Sequence, residues 1–175
     1  MQRRDLLRLL GSSAILPFLP KSSEALTRFG QAIHQAAANG QLETLKPAQG
    51  QLVSAVADVV LPRTDTPGAT DIGVTAFVDR IVGQWYNQEE RSQFLAGLAD
   101  LDRRAGGDFL TLTPDRKLAL LQSLDGAEGP PTSAEAAFNR LKSLTIYGYF
   151  TSEKVMKEVT RDPLIPGRFQ GCVRA

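Results

Sequence analysis

The chain has 175 residues, 42% of them hydrophobic, with 20 Lys+Arg against 19 Asp+Glu. That length accommodates one domain with a real core, and balanced charge without a basic stripe interleaved with aromatics argues against nucleic acid. One histidine (His34) and one cysteine (Cys172) remove most enzyme classes that need a metal cluster, a Cys–His pair or Cys-x-x-Cys-His haem attachment.

No Gly-x-Gly-x-x-Gly and no Gly-x-x-x-x-Gly-Lys-Ser/Thr occurs, which excludes the common nucleotide loops. The carboxylates fall where solvated helix faces or caps would put them. No catalytic, cofactor-binding or metal residue is expected.

Gln2-Arg3-Arg4-Asp5-Leu6-Leu7-Arg8 resembles a twin-arginine export signal, carried by Arg3, Arg4, Leu6 and Leu7, a receptor-read address and not an anchor. The apolar run Leu9 to Leu19 is diluted by Gly11, Ser12 and Ser13, too short and polar for a membrane span. Ser23-Glu24-Ala25 offers a small-x-small cleavage site. The competing reading is an amphipathic surface helix that begins with Arg-Arg. Removing residues 1–25 takes four basic residues (Arg3, Arg4, Arg8, Lys21) and two acidic ones (Asp5, Glu24), leaving a net charge of −1. A soluble periplasmic chain is expected, with a signal at 1–25, a variable segment at 26–47 and a helical domain at 48–175.

From Leu26 to Asn39 the pattern is weakly helical, and His34 reads as a surface residue. Pro47 starts a helix with Leu52, Val56, Val59 and Val60 on one face, stopped at Pro62. Pro62-Arg63-Thr64-Asp65-Thr66-Pro67-Gly68-Ala69 forms a rigid loop in which Asp65 bonds ahead to its own backbone. It reads as an ordered helix connection or as a partner-contacting loop. Val74, Phe77, Val78, Ile81, Val82 and Trp85 make the cleanest stripe in the chain, the expected central helix, with Asp71 as its cap. Asn87 and Glu90 match a capping box. The helix that follows turns Phe94, Leu98 and Leu101 inward, ends at Gly106-Gly107, and should pack antiparallel on its predecessor across so short a turn.

Thr113-Pro114-Asp115 starts another helix, with Leu118, Leu121 and Leu124 inward. Residues 126–131 read as a loop within one domain. Thr132 and Glu135 form a second capping box, and this helix runs into Lys142-Ser143-Leu144-Thr145-Ile146-Tyr147-Gly148-Tyr149-Phe150-Thr151-Ser152-Glu153. Glycine inside a helix costs about 1 kcal/mol against alanine. Gly148 therefore marks either a close approach of another backbone or a break, with Thr151 or Ser152 capping a restart near Glu153. The three rings around it cap the core or dock a partner.

A short helix with Val155, Met156 and Val159 precedes a Pro- and Gly-rich arm. The fold class is all-α, one compact bundle-like domain of about five to seven helices. Cys172, the single thiol of an exported chain, is an intersubunit disulfide candidate, a homodimer link or an idle thiol.

Several of these stretches together resemble the gluconate 2-dehydrogenase subunit 3 family, over about residues 48–172. They are Leu61–Ala69, Glu90–Leu98 with Leu101-Asp102, Lys142–Thr145 with Gly148–Glu153, and Pro166–Phe169 with Gly171-Cys172. The resemblance implies the small subunit of an exported sugar or sugar-acid dehydrogenase. In such complexes a large subunit of glucose-methanol-choline type holds FAD and oxidises the substrate. A multihaem cytochrome c subunit often receives the electrons. The small subunit has no redox centre and carries the export signal for its partner. The partner interface expected on this basis comprises Thr64, Asp65, Tyr147, Tyr149, Phe150, Arg168 and Phe169. Two other classes stand beside it: an independent periplasmic binding module with a closed apolar pocket, and an enzyme working through Asp65 and Asp71.

Overall fold

The computed structural model describes Arg28, residues 42–125 and residues 129–161. Arg3, Arg4, Leu6, Leu7, His34, Arg168, Phe169 and Cys172 lie outside the described residues. Among those described there is no strand, and the helices enclose one core.

Helix α1 (Pro47–Val60) begins with proline at its first turn, where the missing N–H is not needed. It buries Leu52, Val53, Val56 and Ala57. The connecting loop is closed by Ala69 N–H donating to the Leu61 carbonyl at 3.0 Å and Gly68 N–H donating to Asp71 Oδ2 at 2.8 Å. A 3-10 turn (Thr70–Ile72) and Gly73, at φ 76°, then lead into α2 (Val74–Gln84). Gly73, not Asp71, occupies the cap position: Asp71 reaches back to Gly68 and pairs with Arg63 at 3.3 Å. Nor does Asp65 bond ahead to its backbone; it accepts the Thr64 hydroxyl at 2.9 Å.

Phe77, Val78, Ile81 and Val82 are buried as their spacing requires, but Trp85 is 42% exposed. It sits one residue past the helix end, where the stripe no longer applies, and Tyr86 turns inward instead, edge-on to Phe94 at 6.0 Å. Asn87 and Glu90 form the expected capping box of α3 (Gln88–Arg104). From its first turns Arg91 reaches back to the open end of α2, with Nε donating to the Val82 carbonyl at 3.0 Å and Nη2 to Gly83 at 2.5 Å. A cation bonded to terminal carbonyls is the favourable arrangement there.

Despite the short turn, α2 and α3 do not pack lengthwise as an antiparallel pair. The main partner of α3 is α5 (Ser133–Thr151). At Gly97 a Cβ would strike the Ser133 carbonyl and the Ala137 methyl, so the bare backbone sets this seam. After α3, Gly106 and Gly107 take φ of 89° and 93°, and Asp102 accepts the Phe109 N–H at 2.8 Å. That bond pins the 3-10 turn Phe109–Thr111, which plugs the core with Phe109.

Helix α4 (Pro114–Asp125) turns Leu121 and Leu124 inward, whereas Leu118 is 46% exposed. Its inner stripe runs Lys117, Leu121, Leu124, with Lys117 Nζ 5.6 Å from the Phe109 ring centre; Leu118 lies about 100° away. The hub is α5 and not the α2 stripe: α5 packs on α1, α2, α3 and α4. It starts at the expected Thr132–Glu135 box and continues unbroken through Gly148. A Cβ there would lie 2.8 Å from the Phe77 ring, so the glycine admits a side chain, not another backbone. The break comes at Ser152, whose hydroxyl accepts the Val155 N–H at 3.3 Å to open α6 (Glu153–Val155). A π turn (Met156–Thr160) follows.

Candidate functional site

Among the described residues, those expected at a partner surface come from two distant stretches that the fold brings together. Tyr149 O–H donates to the Pro67 carbonyl at 2.8 Å, joining the end of α5 to the 62–69 loop across 82 residues of sequence. This corrects the place given to Tyr149: only 5% exposed, it holds the loop to the helix and offers no ring outward. Phe150 stacks edge-on against Tyr149, centres 5.3 Å apart, and is 50% exposed. One turn earlier Ile146 is 39% exposed, and the i, i+4 spacing sets the two side by side. Tyr147 is half-buried, edge-on to Phe77 at 5.7 Å. On the loop Thr64 and Asp65 are exposed and mutually bonded. The composite surface is therefore an apolar pair, Ile146 and Phe150, beside a stiff polar loop. Sequence reasoning missed Ile146, although its spacing from Phe150 was the available signal.

The polar groups have structural employment. Arg104 Nη2 donates to Thr132 Oγ1 at 3.0 Å and Nη1 lies 3.5 Å from Glu135 Oε1, tying α3 to the start of α5. The Thr132 amide holds the Glu135 carboxyl below its ordinary range, with Arg104 adding to the effect. Hydrogen bonding from Ser133 lowers Asp100, helped by Arg103, and Lys157 lowers Glu153. Burial pushes Tyr86 up to about 12, against the opposing pull of Arg140. These are caps and local pairs, not an acid–base couple in a cleft. Asp71 is engaged by Arg63 and Gly68, and Asp65 by the Thr64 hydroxyl. Among the described residues no group of three or more His, Cys, Asp or Glu converges to hold a metal, and no described helix is long and apolar enough to cross a membrane. A groove of about 350 Å³ between α1, α3 and the 109–111 turn, lined by Leu52, Leu98 and Leu110, is open to solvent.

A family model described as gluconate 2-dehydrogenase subunit 3 matches residues 47–167. The chain belongs to the gluconate 2-dehydrogenase subunit 3 family. The match begins where α1 begins and takes in both halves of the composite surface; Arg168, Phe169 and Cys172 fall just beyond it. No curated relative and no solved structure matches the chain. Many of the residues that carried the family resemblance turn out to be structural: Arg91 closes α2, Gly97 sets the α3–α5 seam, Asp102 pins Phe109, and Ser152 opens α6.

Proposed function

We propose that this subunit-3 protein is the non-catalytic small subunit of a periplasmic FAD-dependent dehydrogenase of the glucose-methanol-choline type, acting on gluconate or a related sugar. In this reading FAD resides in the large subunit, and haem c in a cytochrome subunit where the complex has one. The signal at Arg3, Arg4, Leu6 and Leu7 takes the folded pair out by the twin-arginine route, and the small subunit supports the assembly and stability of its partner. The carrying observation is the Ile146–Phe150 pair: two large apolar side chains left outward on the hub helix of a chain whose family is named as a subunit. Exposed apolar surface bordered by polar groups is what a protein interface leaves on a free protomer.

The test is affinity purification of the tagged chain from periplasm, with an absorption spectrum of the eluate. A flavin-absorbing partner supports the reading, and its release only by reductant adds a Cys172 disulfide. Ile146→Ser with Phe150→Ala should abolish capture while leaving the fold intact. A colourless monomer from the unaltered chain would overturn the proposal in favour of an independent binding module.

A further inference from the structure

The segment before α1 is held by a device that the subunit reading does not use. Asp79, on α2, is 3% exposed, and its carboxylate gathers three successive backbone amides. Glu43 N–H donates to Oδ2 at 2.8 Å, and Thr44 and Leu45 N–H donate to Oδ1 at 3.0 and 2.6 Å. Charge-assisted bonds of this kind are about twice as strong as neutral ones. Two glycines make room for the segment: a Cβ on Gly83 would collide with Thr44 Oγ1, and one on Gly50 with Leu42 Cδ1. Leu45 follows into the core at 3% exposure.

The location matters as much as the strength. Leu42 lies over the first turn of α1 and Thr44 over the last turn of α2. The 62–69 loop joins the other ends of these two helices, where Tyr149 and Phe150 gather. From Gly50 to Leu61 is about 16 Å along the axis of α1 at 1.5 Å per residue. Residues 42–46 thus sit at the end of the α1–α2 pair remote from the 62–69 loop.

We infer that residues 42–46 are a strap locked on Asp79, a local closure of the α1–α2 pair at the end remote from the partner surface that opens independently of the rest of the domain. The strap itself stands on geometry alone; the opposition to a partner rests on the proposed function. A subunit seated on Ile146 and Phe150 leaves the strap untouched.

The experiment is cleavage of the full chain by a Glu-specific protease, followed bond by bond with mass spectrometry. Local opening sets the rate at a protected bond. Asp79→Ala should speed cleavage after Glu43 about tenfold or more while cuts after Glu90 and Glu153 stay at the unaltered chain's rate. Asp79→Asn should give a smaller rise, because its one carbonyl oxygen still accepts Thr44 and Leu45. Gly83→Leu should release the strap without touching the carboxylate. Unchanged rates at Glu43 in all three variants, or a parallel rise at all three bonds, would overturn the strap. Flavoprotein capture should persist in the Asp79 and Gly83 variants. If capture fails in the unaltered chain while the strap behaves as stated, only the subunit reading falls. If the bound partner slows cleavage after Glu43 in the unaltered chain, the opposed-ends geometry is wrong.

Discussion

Three neighbouring positions on α5 make different demands on their side chains. Gly148 faces the Phe77 ring at a distance where a methyl group does not fit. Overpacking costs about 1–3 kcal/mol, against the roughly 1 kcal/mol that alanine regains in helix propensity. Gly148→Ala should therefore lower stability by about 1 kcal/mol in a denaturant titration, and Phe77→Leu in the same chain should shrink that loss. Thr145 is fully buried, and its hydroxyl finds no hydrogen-bond partner among the described residues. Burying an unmatched hydroxyl is unfavourable, so Thr145→Val should raise the melting temperature, equivalent to about 1 kcal/mol; a loss would mean that the hydroxyl is satisfied. Tyr149 has a partner, the Pro67 carbonyl. Tyr149→Phe should cost about 1 kcal/mol and speed amide exchange in the 62–69 loop, yet leave flavoprotein capture nearly unaltered.

At the scale of the helices, what could be read from sequence is what is local. The boxes at Asn87–Glu90 and Thr132–Glu135 span four residues each, and Pro47 and Pro114 announce the starts of α1 and α4 in the same way. Trp85 and Leu118 were misplaced because periodicity says that a stripe exists, not where the helix stops or how wide its buried face is. The α5 hub escaped because a helix buried on several sides loses the amphipathic contrast that marks α2. Asp79 was invisible: its partners lie 34 to 36 residues away and are backbone amides, which no side-chain pattern announces. Both halves of the composite surface were legible as motifs, but Tyr149's inward role and Ile146's outward one needed the packing. The box that opens α5 also predicts a pH response. Glu135 is held below its ordinary value near 4.5, first by the Thr132 amide. A depressed folded-state value contributes stability above the unfolded value and loses it as the pH falls through the folded one. Stability should therefore decline on acidification below about pH 4.5, and Glu135→Gln should flatten part of that decline. Thr132→Ala should cost about 1 kcal/mol at neutral pH. Melts from pH 3 to 7 read both effects.

Across the whole molecule the exposed apolar side chains are spread over several elements: Trp85, Leu110 and Leu118 stand outward as well as Ile146 and Phe150. Phe77, Phe94, Phe109, Leu98, Leu101 and Leu141 fill the centre of the core, while Ile146 and Phe150 stand outside it at one end. At the other end the core is closed by a segment that the sequence had assigned to the variable region 26–47. Leu45, within that span, is as deeply buried as Leu121 of α4, and it and its neighbours satisfy Asp79. The folded unit therefore extends upstream of α1 at least to Leu42. A chain beginning at residue 42 and one beginning at residue 48 differ by six residues, yet the shorter one loses a buried leucine, about 1.5–3 kcal/mol. It also leaves Asp79 without its three donors, a further cost of about 1–3 kcal/mol. Chemical denaturation should place the two chains about 3 kcal/mol or more apart, with similar cooperativity in each. Asp79→Ala should remove most of the advantage of the longer chain, because the strap is then no longer held. Equal midpoints for the two chains would show that residues 42–47 lie on the domain without supporting it, and that the core closes on α1 alone.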